Sequence, residues 1–294
     1  MTEVSISYVF PNISTVNRGG RGGLNERWNY ALRYNCNFIE MPCDFIKNKT
    51  EIKLTGLEMC SIPDKEAIEK IYSSNYNPNA KIKYILHTEP MLSRRDLDNK
   101  NYTAKLKWYD DKWLDDFISM LISVIKFLKI TPYAIEIHPG KRKNTYGNIF
   151  FAATKIIKDI FKVFNYKPLI LLENRTGHFI SNCKEVSEFM YLLEKQKSDY
   201  KNHINFVLDI YQLYKSTKDT FENDLKLIPF NSLKAYHIHT NHSAPDISDE
   251  IPWKFVFDQI KEVKNPIIIN PEVFHEKNVR KTIDFCNNLL ETKI

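Results

Sequence analysis

Short apolar runs rich in β-branched and aromatic residues recur along the chain, each followed by a longer segment that alternates apolar and polar residues. The runs cover 5–10, 37–42, 83–90, 133–140, 168–177, 205–214, 233–240 and 266–274. Most keep four or five apolar residues in unbroken succession. That is the pattern of strands buried on both faces of a parallel sheet. The intervening segments predict helices over 24–34, 65–74, 112–128, 149–163, 184–196, 220–227, 253–263 and 277–289. Asp110-Asp111 and Ser181-Asn182, the latter ahead of Glu185, supply helix starts, and Pro132 helps end the third long helix.

Eight strands alternating with eight helices over about 250 residues is the arithmetic of an α/β (β/α)8 TIM barrel. The expected organisation is one domain spanning 1–294. A doubly wound open sheet is the alternative, but its glycine-rich dinucleotide turn is missing. The glycine-rich segment 17–23 lacks both the G-x-G-x-x-G register and the P-loop Lys-Ser/Thr. It reads as a first βα loop, with Arg18 and Arg21 either touching a phosphate or lying in a plain connection.

Composition narrows the class. With 43% hydrophobic and 27% charged residues among 294, the chain can build a full core, which argues against a disordered or fibrous protein. A net charge of +6 permits a phosphate-bearing partner and equally suits an ordinary lysine-rich surface. The five cysteines are scattered, form no CxxC and follow no secretory signal, so reduced thiols in the cytoplasm are expected. No apolar run approaches the roughly 18 residues that span a bilayer, and no membrane partner is expected.

The chemistry lies at the ends of the predicted strands, where a barrel opens its βα loops. The third to eighth runs place His87, His138, Glu173, Asp209, His237 with His239, and Glu272 at or near this edge. Each alone is ordinary, a core histidine or a capping acid. Together they gather many ionisable groups in one cleft, and such crowding raises carboxylate pKa values unless a cation offsets it. Mixed imidazole and carboxylate donors suit zinc, manganese or iron. No Ser-His-Asp or Cys-His arrangement, and no haem, flavin or nicotinamide fingerprint, stands out.

The segments IEIHPG, LLENRTG, VLDIYQ, YHIHTN and NPEVF resemble the xylose isomerase-like barrels, and within them most resemble endonuclease IV, the apurinic/apyrimidinic endonuclease. The resemblance implies two divalent ions. His87 and His138 would bind the first, Glu173 would bridge, and Asp209, His237 and Glu272 would complete the second. Glu173 and Glu272 are then the expected catalytic carboxylates. The family's third metal site is not matched, because its Asp-x-x-His reads Asp209-Ile210-Tyr211-Gln212 and its Asp-x-His has no counterpart. His239, His242, Asp246 and Asp249 are the nearby substitutes. Two ions support in-line phosphodiester hydrolysis of DNA at abasic or damaged sites. The isomerase and epimerase relatives use only the set matched by Glu173, Asp209, His237 and Glu272, which implies a sugar or sugar phosphate instead.

Further candidates for substrate or phosphate contact are Glu40, Lys141 with Arg142 and Lys143, Arg175 with Arg94 and Arg95, and His239 with His242. Tyr211, Tyr214 and Trp253 are expected near the mouth, either stacking on a ligand or packing in the core. His178, His203 and His275 suggest no role.

Overall fold

The computed structural model describes residues 5–12, 24–42, 82–88, 93–95, 101–103, 106–228 and 233–291. The glycine-rich segment 17–23 and the helix expected over 65–74 lie outside them. Eight strands form one closed parallel sheet: β1 (Ile6–Phe10), β2 (Phe38–Pro42), β3 (Lys83–His87), β4 (Ala134–Ile137), β5 (Leu169–Glu173), β6 (Ile204–Asp209), β7 (Leu233–His237) and β8 (Ile267–Asn270). Each pairs with its sequence neighbours, and β1 pairs with β8 through Ile6 and Ile267 to close the barrel. The described helices are α1 (Leu24–Arg33), α2 (Asp111–Leu128), α3 (Tyr146–Phe164), α4 (Cys183–Glu194), α5 (Ile210–Thr217), α6 (Phe221–Leu225), α7 (Trp253–Lys261) and α8 (Glu276–Glu291). Between β3 and α2, Ser93–Arg95 pairs antiparallel with Asn101–Thr103, a ribbon the strand pattern does not anticipate.

The helix starts follow local chemistry. Asp110 caps α2 by accepting from the Trp113 amide, and Asn182 caps α4 by accepting from the Glu185 amide. Glu185 returns the bond, its carboxylate accepting from the Ser181 amide and hydroxyl. One expected boundary is corrected. The apolar run 205–214 reads as a single strand, but β6 ends at Asp209 and α5 begins at the next residue. The Asp209 carboxylate accepts from the Gln212 amide, which starts a helix inside the run, and Ile210 and Leu213 bury at helical spacing. The helix expected over 220–227 is found as the short α6, and α5 is an additional helix ahead of it. Trp253 takes the core alternative: it is 1% exposed and packs edge-on against Phe285 of α8, between barrel and helices.

The barrel interior explains where the chemistry sits. One apolar layer takes a residue from every strand: Val9, Phe38, Ile85, Ala134, Leu171, Val207, Ala235 and Ile268. Side chains alternate across a strand, so the next inward position lies two residues further toward the mouth. On β2 to β8 that position holds Glu40, His87, Glu136, Glu173, Asp209, His237 and Asn270. A dry layer thus floors a ring made almost entirely of polar side chains. The larger core lies outside the sheet, where the apolar faces of α2, α3, α4 and α7 pack on it.

Candidate metal centre

Every member of the ring is buried. His138, His239 and Glu272 lie one inward position higher, above Glu136, His237 and Asn270. Lateral register sets the neighbours: His87 pairs with Glu136, Asp209 with His237, and His237 with Asn270. Several backbone devices hold these positions. Asn174 donates to the Asp209 carbonyl at 3.1 Å and accepts from its amide at 2.8 Å, clasping the ends of β5 and β6. Gly140 has φ +72°, and a Cβ there would lie 2.5 Å from the Asn144 amide nitrogen, so the turn after His138-Pro139 requires glycine. The Trp108 indole donates to the His138 carbonyl at 2.9 Å.

Two groups face each other across Glu173. In the first, His87 Nε2 and His138 Nε2 are 3.2 Å apart. Glu173 Oε2 lies 3.4 Å from His138 Nδ1 and 3.9 Å from His87 Nε2. Behind His87, Nδ1 bonds Glu40, whose carboxylate also accepts from the Asn12 amide and from Asn270 Nδ2. In the second group, Glu173 Oε1 lies 3.9 Å from His237 Nδ1, and Glu272 Oε2 lies 3.4 Å from the same nitrogen. His239 Nε2 faces Asp209 at 3.3 Å and Glu272 at 3.1 Å. The trios His87, His138 and Glu173, and Asp209, His237 and Glu272, each bring donor atoms close enough to hold an ion. So do Glu136, Glu173 and His237, and His239, His242 and Glu272.

Charge is poorly compensated here without a cation. Burial, then the carboxylates of Glu136, Glu272 and Asp209, push Glu173 well above the usual carboxylate range. Burial and the neighbouring His87 and Arg175 hold His138 well below the usual imidazole range. Burial also disfavours the His237 imidazolium, yet Glu136 and Glu173 overcome it and raise that group well above its ordinary value. His239 rises to about 9 against burial because Asp209 and Glu272 adjoin it. The buried atoms Glu136 Oε1, His138 Nδ1, Glu173 Oε2, His237 Nδ1 and Glu272 Oε2 have no hydrogen-bond partner among the described residues. Orphaned polar atoms facing one another in a buried cluster fit a cation-binding site.

The surrounding residues divide by what engages them. Gln212, where the third-site histidine would stand, accepts from the Thr176 amide. Asp249 accepts from the Thr240 hydroxyl, the Asp246 amide and the Trp253 indole, and Asp246 accepts from Ser248. Both acids therefore stabilise their own loop. His242 stacks between His239 and Phe274, with ring centroids 4.7 and 4.2 Å away. Tyr211 also meets the His239 ring, at 5.3 Å, whereas the Tyr214 hydroxyl reaches Glu250. Lys141 donates to the Gly177 carbonyl, tying the turn after His138 to the loop that carries Arg175. The side chains of Arg94 and Arg95 lie outside the described residues.

Three buried residues of the site carry no obvious mark in the sequence. Glu136 and Asn270 interrupt apolar runs, and only counting inward positions from the floor places them in the ring. His178 is buried with its ring 6.3 Å from that of His138.

No protein-family model and no curated protein matches this sequence. Solved structures do. An IolI protein with a bound zinc atom is 13% identical, with TM-score 0.60, over 97% of this chain and 98% of that one. D-psicose 3-epimerase from Clostridium cellulolyticum H10, with D-tagatose, is 11% identical, with TM-score 0.56, over 97% and 100%. A family 2 AP endonuclease from Brucella melitensis is 9% identical, with TM-score 0.56, over 96% and 99%. At such identities the likeness carries the fold alone, a (β/α)8 TIM barrel.

Proposed function

We propose that this chain is a metal-dependent phosphodiesterase acting on DNA at abasic or damaged sites, related in chemistry to endonuclease IV. The observation that carries this reading is the split of one carboxylate between two histidine groups. Glu173 turns Oε2 toward His87 and His138 and Oε1 toward His237. Such a carboxylate suits a bridge between two divalent ions, zinc or manganese. His87 and His138 complete one donor set, and Asp209, His237 and Glu272 the other. Paired ions supply charge stabilisation to the attacking and leaving oxygens of an in-line displacement.

The chain's own residues serve the rest of the chemistry. The dry floor of the barrel excludes water from below. Glu40 fixes His87 through Nδ1, leaving Nε2 turned into the site. Lys141, Arg142 and Lys143 are exposed on the turn after His138, where they suit a phosphate backbone.

A second reading has its own support, because Asp209, His237 and Glu272 assemble beside Glu173 independently of the first histidine pair. That set alone suits a sugar or sugar-phosphate epimerase, with carboxylates moving a proton next to a carbonyl. A nicking assay on a duplex with one stable abasic analogue separates the two. Zinc- or manganese-loaded protein is expected to incise beside the analogue, and Glu173→Ala is expected to abolish incision. Metal-loaded protein that leaves the duplex intact but interconverts a ketose phosphate overturns the nuclease reading.

A further inference from the structure

We propose that Glu136 is a positioning residue that accepts the Nε2 proton of His237 and so commits His237 Nδ1 to the metal centre. The inference rests on the metal-centre reading above and adds a residue that the resemblance does not assign. Glu136 Oε1, without a hydrogen-bond partner among the described residues, lies 3.4 Å from His237 Nε2 and 3.5 Å from His87 Nε2, and all three side chains are buried. The opposite nitrogen, His237 Nδ1, faces Glu272 Oε2 and Glu173 Oε1. A metal-binding imidazole presents a lone pair on one nitrogen and a proton on the other, so whatever accepts that proton fixes the ligating atom.

The other group beside His237 Nε2 is Asn270 Nδ2, at 3.4 Å. It is a donor and cannot accept the proton. Flipping the amide would turn its oxygen toward Nε2, but Asn270 Nδ2 also donates to Glu40 Oε2 at 3.2 Å. The flip would set two acceptor oxygens against each other, so Glu40 pins the orientation. Glu136 is left as the acceptor. His87 makes the same arrangement on the other side of the ring, with Nδ1 held by Glu40 and Nε2 facing inward. Glu40 thus lies behind His87, and Glu136 stands between His237 Nε2 and His87 Nε2.

The alternative is that Glu136 is itself a ligand, since Glu136, Glu173 and His237 also cluster. Cobalt titrations of wild type, Glu136→Ala and Glu136→Gln distinguish the roles, with chelator competition for affinity and visible absorption for coordination. For Glu136→Ala the expected result is roughly 10- to 100-fold weaker binding of one ion, with wild-type stoichiometry and band positions at saturation. Glu136→Gln keeps an oxygen that accepts the Nε2 proton and should recover most of that affinity. In zinc-loaded protein, the His237 Nε2 proton should exchange slowly with solvent in wild type and Glu136→Gln, and rapidly in Glu136→Ala. Loss of one whole ion from Glu136→Gln at saturating cobalt would make Glu136 a ligand and overturn the proposal. Wild-type affinity in both variants would overturn it as well. If wild-type protein itself takes up no cobalt, the metal-centre reading fails and this inference with it.

Discussion

Glu173 is the residue on which both histidine groups depend. Its two oxygens face different imidazoles, and its buried carboxyl is pushed toward the neutral form by the acids around it. A cation on either side reverses that preference. Glu173→Gln keeps the shape but loses the charge, so it is expected to release both ions together, whereas His87→Ala empties only the first position. Metal analysis of the two purified variants checks this, and equal single-ion losses would contradict a bridging role. His178 carries a separate prediction. Burial, then Arg175 and Lys141, lower its pKa to about 4. The unfolded chain, with an ordinary histidine near 6.5, binds the proton more readily, so stability falls as pH drops from about 6.5 toward 4. By pH 5 the cost is on the order of 1–2 kcal/mol. His178→Asn should flatten that part of the acid limb in denaturant melts at pH 7 and pH 5, and an unchanged limb would rule the effect out.

At the scale of elements, the same type of residue does two jobs that differ in consequence. Asp110 caps α2 on the outside of the barrel, and its loss should cost about 1 kcal/mol without touching metal uptake. Asn174 instead joins the strand ends that carry Glu173 and Asp209. Asn174→Ala leaves the Asp209 amide buried and unpaired, a penalty of roughly 1–3 kcal/mol, and frees β6 to shift against β5. Denaturant melts paired with metal titration should find both variants destabilised but only Asn174→Ala weakened in metal binding. Legibility also turns on this scale. The strand-helix alternation is readable because a strand covered on both faces must be apolar throughout. The α5 start is hidden because Asp209 ends a strand and caps a helix inside one apolar run. Glu136 is hidden for a related reason: a single acid in a buried strand looks like an exception to the pattern, and only the inward count from Ala134 gives it a place.

For the whole molecule, the barrel pairs a floor of eight apolar side chains with a polar ring that folding must desolvate. His87 closes a strand and His138, His239 and Glu272 follow strand ends within two residues, so they stand out in the sequence, whereas their mutual orientation depends on closure of the sheet between β1 and β8. Closure brings Glu40 on β2 to Asn270 on β8, a contact between residues far apart in the chain. A bound ion would add compensating charge to the carboxylates of the ring, so metal occupancy should be coupled to global stability. At a free zinc concentration 100 times the dissociation constant, that linkage is about 2.7 kcal/mol. Spread over the unfolding entropy of a chain this long, it corresponds to about 4 °C in Tm. Protein stripped with EDTA should therefore melt about 4 °C or more below zinc-loaded protein at pH 7. The gap should narrow toward pH 5, because Glu136 and Glu173 raise His237 well above the usual imidazole range and protons compete with an ion for it more strongly there. Calorimetry of both forms at the two pH values measures it. A gap that is absent at pH 7 would mean that the ring is satisfied without a cation.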